Sequence, residues 1–156
     1  MDGDDDDDNP LAKNALVYMA VAVNGSFKIP VGYFMTNGMT GRELANLTKV
    51  CLKKLHDVGV TTISVTCDGP PSNMSMMTEL GACLKANDIK TSFQHPLCPG
   101  NNVYVFLDIC HMIKLVRNTL GKGLVLVDKD GGKVSWQYIV QLENLQREEG
   151  LRLGND

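Results

Sequence analysis

The sequence predicts an α/β fold in which helices pack on the faces of a mixed β-sheet. Asn24-Gly25 separates two apolar runs, and this dipeptide is the strongest short signal for an antiparallel hairpin. Further along the chain, short runs rich in β-branched residues alternate with patterns of helical period, which is typical of strands joined through helices. A hairpin followed by helix-linked strands makes the sheet mixed rather than purely parallel.

Four strands are predicted from apolar runs bounded by turn residues, over residues 15–23, 27–35, 60–67 and 102–107. Pro30 lies in the second run, and because proline lacks a backbone N–H this strand is expected near a sheet edge. The stretch 85–101 contains Pro96 and Pro99 and is predicted to be a loop.

A capping box predicts where the first helix begins. Thr40 and Glu43 have its spacing, in which each side chain bonds the other residue's backbone N–H, so a helix is predicted over residues 41–58. Gly59 supplies the C-terminal stop. The apolar residues of this helix recur three or four positions apart and predict one buried stripe, made of Leu44, Leu47, Cys51, Leu55 and Val58.

Three more helices are predicted over residues 74–84, 111–120 and 136–149. Ser135 is expected to cap the last one, after a short strand over residues 124–127 and a glycine-rich turn. The predicted organisation is an acidic, disordered segment over residues 1–14, a sheet-containing core over 15–120 and the beginning of a further domain over 121–156.

The net charge of −3 comes from one short segment. Asp2 and Asp4 to Asp8 supply six of the 18 acidic residues, which leaves 12 against 15 basic residues in the rest of the chain. Such a tract is typical of a solvated tail. The weak basic excess of the body permits nucleic-acid binding but does not argue for it, because a dedicated binding face is far more basic.

Hydropathy and cysteine usage narrow the class further. No apolar run approaches the 18 residues of a membrane span, so no membrane contact is predicted. The five cysteines are odd in number and have no C-x-x-C spacing. This pattern favours reduced, buried thiols of an intracellular protein over a disulfide framework.

Two predicted strands end on an aspartate. Residues 60–67 lead into Asp68, and residues 102–107 lead into Asp108. Ligands and metals bind at the carboxyl ends of the strands in open α/β sheets, where neighbouring strands lie about 4.8 Å apart. Asp68 and Asp108 are therefore candidate Mg²⁺ ligands, since this ion is usually held by one or two carboxylates together with phosphate oxygens.

A second interpretation stays open for these residues and their neighbours. Asp68 and Asp108 are also suited to cap the helices that follow them. His111 either orients Asp108 or touches a phosphate, or it is simply exposed at a helix start. Lys114 and Arg117 share a helix face that contacts either a nucleic-acid backbone or solvent.

The order of the elements and the strand-end acids resemble the ribonuclease-H-like core of the P-element transposase family, including its THAP-domain-linked relatives. The resemblance covers residues 10–120 and rests on Val21-Ala-Val-Asn24, Phe27-Lys-Ile-Pro-Val-Gly-Tyr-Phe34, Thr66-Cys-Asp-Gly69 with Ser72-Asn73, Phe93-Gln-His-Pro96, and Phe106-Leu-Asp-Ile-Cys-His-Met-Ile-Lys-Leu-Val-Arg-Asn118. Ser135-Trp-Gln-Tyr138 is similar to the start of the GTP-binding domain inserted in that family's nuclease core.

The resemblance implies a catalytic site of two aspartates and one glutamate that binds two Mg²⁺ ions for DNA cleavage and strand transfer. Asp68 matches the second aspartate and is the candidate catalytic residue, whereas Asp108 and His111 match a shared block without being the family's primary ligands. The other two carboxylates are expected before Met1 and beyond Asp156. The resemblance also implies DNA as partner, a nuclear location, and GTP binding and homo-oligomers only in full-length members.

The sequence is thus predicted to hold most of a ribonuclease-H-like core, lacking its first central strand, and the start of an inserted α-rich domain. One matched carboxylate does not hold two metal ions about 3.5–4 Å apart, so the chain is expected to be inactive as encoded. The alternative is a domesticated, non-catalytic interaction or nucleic-acid-binding module. A small nucleotide-binding protein is disfavoured because the sequence has no G-x-x-x-x-G-K-[ST] loop.

Overall fold

The computed structural model describes residues 11–123 and 125–150, so most of the predicted acidic segment lies outside the described residues. The chain divides between Leu107 and Asp108 into two compact units. The domain boundary predicted after residue 120 stays a prediction. Over the described residues, no helix is both long enough and apolar enough to span a membrane.

The first unit begins with an antiparallel hairpin. Strand β1, Asn14–Val21, pairs with strand β2, Lys28–Thr36. The register slips between Tyr18 and Met19, so that Pro30 lies opposite Met19 and one residue of β2 is skipped, as in a β-bulge. Both predicted strands are confirmed, with their ends shifted by a residue or two.

Helix α1, Gly41–Asp57, begins at the predicted capping box. The Thr40 N–H donates to Glu43 Oε2 at 2.8 Å, and Thr40 Oγ1 accepts from the Glu43 N–H at 3.3 Å. The hydrogen bonds from the Thr40 backbone and hydroxyl hold the pKa of the Glu43 carboxyl below its ordinary value. Val58 caps the helix, and Gly59 follows with a φ of +80°, which glycine adopts without strain.

The buried face of α1 differs from the predicted stripe. It consists of Gly41, Leu44, Ala45, Thr48 and Leu52. The rest of the predicted stripe lies beside this face, half-buried or exposed, and consists of Leu47, Cys51, Leu55 and Val58. Apart from Leu44 the prediction was wrong, because the helix is apolar on more than one flank and the packing of α1 on its neighbours decides which flank is buried. Thr48 is buried with its hydroxyl satisfied, donating to the Leu44 carbonyl at 2.8 Å.

A three-stranded mixed sheet lies at the centre of the first unit. Strand β3, Ser64–Cys67, runs parallel to a longer strand, Asn102–Leu107, which also pairs on its other edge with the antiparallel strand Ser92–Gln94. The prediction that β3 begins at residue 60 was wrong. Residues 60–63 have the composition of a strand, but among the described residues Ile63 alone bonds to the neighbouring strand, its carbonyl accepting from the Tyr104 N–H at 2.9 Å.

Helix α2, Pro71–Leu80, begins and ends earlier than the predicted 74–84. Pro71 occupies the first helical position, where its missing N–H costs nothing. Gly81 ends the helix in the left-handed conformation, with a φ of +106°.

The predicted loop over residues 85–101 was wrong in its first part. Strands β4, Cys83–Lys85, and β5, Asp88–Lys90, form a small hairpin, and the sheet strand Ser92–Gln94, β6, follows directly. Strands of three residues are too short for an alternating pattern to appear in the sequence. The long central strand Asn102–Leu107, β7, was predicted with its correct bounds.

The core of the first unit lies between α1, α2 and the sheet. It contains Leu44, Ala45, Leu52, Met76, Met77, Ala82, Phe93, Val103 and Val105. Val103 on β7 has no exposed surface, which marks β7 as the innermost strand. His95 is also buried, and its Nδ1 accepts from the Leu97 N–H at 3.2 Å. Met76 and Met77 of α2 are both buried in this core.

The second unit consists of helix α3, Ile109–Gly121, a hairpin of β8, Leu126–Val127, with β9, Lys133–Val134, and helix α4, Gln137–Glu148. Both helices confirm the predicted ones. The cap of α4 is Trp136 rather than the predicted Ser135, although the Ser135 hydroxyl accepts from the Gln137 N–H at 3.3 Å. No residue of α4 is buried.

The close approach of α1 to α2 generates the first testable prediction, at Gly41. A Cβ added there would collide with the Ser75 side chain and lie 2.8 Å from the Met76 backbone nitrogen, which cannot rotate away. We expect Gly41→Ala to lower the free energy of unfolding by about 1–3 kcal/mol, measured by urea denaturation.

Gly121→Ala is the matched control for this prediction. A Cβ at Gly121 would meet its nearest neighbour, the Trp136 ring, at 3.8 Å, which is ordinary van der Waals contact. Because alanine favours helix over glycine, this variant should be neutral or more stable by up to about 1 kcal/mol. Equal stability of the two variants would contradict the proposed close packing.

Candidate functional site

The two strands that precede the candidate aspartates end at the same edge of the sheet. β3 and β7 are parallel neighbours, and Cys67 lies opposite Leu107 at their last paired positions. Asp68 and Asp108 are the next residues along each strand. This register confirms the strand arrangement on which the paired-carboxylate prediction was based, but the shared ion itself stays a prediction.

The Asp68 carboxylate is held by the start of α2. Asn73 Nδ2 donates to Asp68 Oδ1 at 2.7 Å and to the Asp68 carbonyl at 3.3 Å. Asn73 reaches Asp68 because α2 begins at Pro71, directly after the turn. Asn73 belongs to one of the blocks that carry the family resemblance, but no role was predicted for it. The only sign of this contact in the sequence is that Asn73, an amide, lies five positions after Asp68.

Asp108 makes the contacts of a helix cap. Its Oδ1 accepts from the N–H groups of Cys110 at 2.9 Å and His111 at 3.4 Å, at the start of α3. These contacts are those of a helix N-cap, as in the second interpretation of Asp108. Lys114 and Arg117 are both exposed on the same helix.

A groove of about 840 Å³ lies in the first unit, and Asp68 is part of its lining. The lining also includes β1, residues 60–67 and one side of α1, and Asp68 is the one charged residue among the lining residues. Tyr18 and Thr48 lie in the same lining, with the Tyr18 hydroxyl 3.0 Å from Thr48 Oγ1. The candidate metal ligand thus lies in an otherwise uncharged cleft.

The groove favours neutral side chains. Burial, together with the negative charge of Asp68, raises the pKa of the Cys67 thiol from 9.0 to about 11. Burial also raises the pKa of the Cys51 thiol. It raises the pKa of the Tyr18 phenol as well, although the hydrogen bond with Thr48 acts in the opposite direction. The cysteines expected to be buried are half-buried, except for exposed Cys110.

Among the described residues, no three His, Cys, Asp or Glu side chains lie close enough to hold a metal ion together. Asp68 is therefore not part of a preassembled group of three such side chains within the described residues. The first unit has a hairpin followed by a mixed sheet, in which a parallel strand ends on a carboxylate beside the start of a helix. This is the arrangement of a ribonuclease-H-like domain.

The chain belongs to the TNP-like transposase family. Residues 1–81 match the model described as TNP-like, RNase H N-terminal domain, and residues 110–156 match TNP-like, GTP-binding insertion domain. The predicted family and fold class are confirmed by these matches.

Two curated proteins are similar over most of the chain. It is 33 % identical over 145 residues to the DNA transposase THAP9 of Homo sapiens, which covers 93 % of this chain and 16 % of that protein. It is 33 % identical over 120 residues to the Transposable element P transposase of Drosophila melanogaster. This match covers 76 % of this chain and 15 % of that protein. The chain therefore spans about one sixth of the length of these relatives.

A solved structure has the same fold. The Drosophila P element transposase strand transfer complex matches with a TM-score of 0.61 and 30 % identity, covering 78 % of this chain and 25 % of that chain.

The electrostatic link between Asp68 and Cys67 generates the second testable prediction. A pKa of about 11 in place of 9.0 leaves about a hundredfold less thiolate at neutral pH, so iodoacetamide should alkylate Cys67 far more slowly than exposed Cys110. Asp68→Asn removes the negative charge, so it should lower the Cys67 pKa and speed its alkylation, measured site by site by mass spectrometry.

Asp57→Asn, at the exposed end of α1, is the control and should leave the Cys67 rate unchanged. An unchanged rate in Asp68→Asn would contradict the electrostatic link. Because the folded state raises the Cys67 pKa, it favours the neutral thiol. The free energy of unfolding should accordingly fall as the pH rises from about 9 towards 11.

Proposed function

We propose that this chain is the part of a P-element-like DNA transposase that supplies Asp68 as a metal ligand for phosphodiester cleavage and strand transfer. The observation that carries the proposal is the position of Asp68, directly after β3 and hydrogen-bonded to the first turn of α2. The membership of the chain in a transposase family supports DNA as the substrate.

The chemistry of Asp68 fits Mg²⁺. This ion prefers carboxylate oxygens at octahedral positions and keeps several of its waters. Asn73 occupies Oδ1, and no hydrogen bond within the described residues involves Oδ2. When bound, a pair of such ions stabilises the attacking and leaving oxygens of the phosphodiester. Asp68 presents one carboxylate oxygen to the ion. The hydrogen bond from Asn73 fixes the direction of that carboxylate.

Asp108 keeps its predicted role of second metal ligand as a hypothesis. Its Oδ1 is engaged with backbone N–H groups of α3, so Oδ2 is the oxygen that would reach an ion. For a full-length protein we propose a nuclear location and GTP binding. The latter is supported by the match of residues 110–156 to a GTP-binding insertion domain.

We further propose that the 156 residues alone do not cleave DNA. Asp68 is the one carboxylate in the lining of the groove, whereas two ions about 3.5–4 Å apart need several carboxylates to balance their charge. A non-catalytic interaction module is the second candidate function, and it is favoured by the uncharged groove.

The third testable prediction concerns the metal. In the ¹⁵N-labelled polypeptide, Mn²⁺ used in place of Mg²⁺ should broaden the amide signals of residues 67–69 and of Asn73. Asp68→Asn should abolish this broadening because it removes the anionic ligand, and Asp57→Asn should leave it intact. Broadening that persists in Asp68→Asn would contradict the proposed ligand. A loss in Asp108→Asn as well would support the shared ion.

The fourth testable prediction concerns cleavage. In an assay with Mg²⁺ or Mn²⁺ on supercoiled and linear DNA, the 156-residue polypeptide and its Asp68→Ala variant should both remain at background. Cleavage by the parent that disappears in Asp68→Ala would overturn the proposed inactivity, while leaving Asp68 as the ligand.

A further inference from the structure

The loop of the first hairpin carries an Asn-Gly dipeptide that the fold leaves open to water. Residues 22–27 join β1 to β2, and the Ala22 N–H donates to the Phe27 carbonyl at 3.1 Å across the base of this loop. Asn24 and Gly25 lie in its middle, and both are exposed. No hydrogen bond within the described residues involves the Asn24 side-chain amide or the Gly25 N–H.

These two residues are the reactants of spontaneous deamidation. When the backbone N–H that follows an asparagine loses its proton, the nitrogen can attack the side-chain amide carbon, and ammonia leaves. The new carbon–nitrogen bond closes a succinimide ring. Water then opens the ring at either carbonyl and gives aspartate or isoaspartate, so the net reaction consumes water and releases ammonia. Because both reactants belong to one chain, the attack is intramolecular and needs no enzyme.

The conformation of the loop favours this attack. Glycine has no Cβ to crowd the attacking nitrogen. A tight two-residue turn would hold both residues of an Asn-Gly pair in the left-handed conformation, but the loop here is longer and Gly25 does not have a positive φ. Residues outside a ladder also change conformation more readily than paired residues. The Gly25 nitrogen is therefore free to turn towards the Asn24 amide carbon.

Asn73 shows how the same fold protects another asparagine. Its side-chain amide donates to Asp68 Oδ1 at 2.7 Å, which holds the amide in one direction. The N–H of the next residue, Met74, donates to the Pro70 carbonyl at 3.1 Å in the first turn of α2. Neither reactive group can turn towards the other without breaking a hydrogen bond. Asn73 is thus a protected control within the same chain.

We propose that Asn24 is a spontaneous modification site, at which the folded chain deamidates through a succinimide to aspartate and isoaspartate. The reacting atoms are the Gly25 backbone nitrogen and the Asn24 side-chain amide carbon, and water is the one co-reactant. The reaction involves neither a metal ion nor DNA, so it is independent of the proposed function.

Deamidation would change the hairpin in two ways. It adds a negative charge at Asn24, which belongs to the groove lining in which Asp68 is otherwise the one charged residue. Isoaspartate also lengthens the backbone by a methylene group, because the chain then continues through the side-chain carbon. The longer loop should weaken the hydrogen bond between Ala22 and Phe27. The modified hairpin is therefore more acidic and more loosely closed.

The test incubates the 156-residue polypeptide under native conditions at neutral and at mildly alkaline pH. Peptide mass spectrometry follows the replacement of the side-chain nitrogen by oxygen at each asparagine, and electron-based fragmentation separates isoaspartate from aspartate. Asn24 should convert to both products, and faster at the higher pH because more of the Gly25 nitrogen is deprotonated. Asn73 should convert at least tenfold more slowly.

Gly25→Ala is the variant that isolates the mechanism. A Cβ at Gly25 would meet its nearest neighbour, the Ala22 Cβ, at 3.4 Å, which is ordinary van der Waals contact, so the fold should tolerate it. The added Cβ crowds the attacking nitrogen and should slow the conversion of Asn24 at least tenfold. Asn37 precedes Gly38 and has the same dipeptide, so its rate is the internal control and should not change.

Thermal unfolding of Gly25→Ala checks that this variant folds like the parent. Asn24 that stays unmodified under native conditions would overturn the proposal, and conversion in urea alone would identify the fold as the reason. Equal rates at Asn24 in the parent and in Gly25→Ala would also overturn it, because the Gly25 nitrogen would then not be the attacking group. Equal rates at Asn24 and Asn73 would contradict the proposed effect of the fold and overturn it as well.

Discussion

The parallel pairing of β3 with β7 is the constraint on which the rest of the first unit depends. β7 is the innermost strand, with Val103 fully buried, and it carries β6 on one edge and β3 on the other. The register that sets Cys67 opposite Leu107 brings Asp68 out at the carboxyl edge of the sheet. A slip of one residue would exchange the two faces of β3 and turn Val65, which packs on the core, towards the other side.

The sequence predicted the features that depend on local chemistry. The start of α1 follows from the Thr40–Glu43 box, and the two strands that run into aspartates were predicted from their apolar composition. Other features depend on partners that are distant in sequence. Residues 60–63 have the composition of a strand, but pairing decides whether they form one. The role of Asn73 depends on where α2 begins, which Pro71 sets. The buried row of α1 includes Thr48 because Tyr18 and Met76 lie beside it.

The electrostatics of the groove connect its apolar lining with its single charge. Cys67 and Tyr18 both favour their neutral forms because burial penalises charge there, and Asp68 adds to that effect at Cys67. The Asn73 amide donates a hydrogen bond to the Asp68 carboxylate at the same position. A cation beside Asp68 would act on Cys67 in the opposite sense to the carboxylate, because it stabilises a nearby thiolate. The reactivity of the Cys67 thiol therefore depends on the charge next to Asp68.

The direction of the Asp68 carboxylate depends on two contacts. β3 is a four-residue strand whose pairing with β7 sets the position of the Asp68 backbone. The Asn73 amide donates to Asp68 Oδ1 at 2.7 Å and so sets the direction of the carboxylate. Asn73 reaches Asp68 because α2 begins at Pro71, directly after the turn. Strand pairing and the start of the helix therefore fix the same side chain, and a change in either would move Asp68.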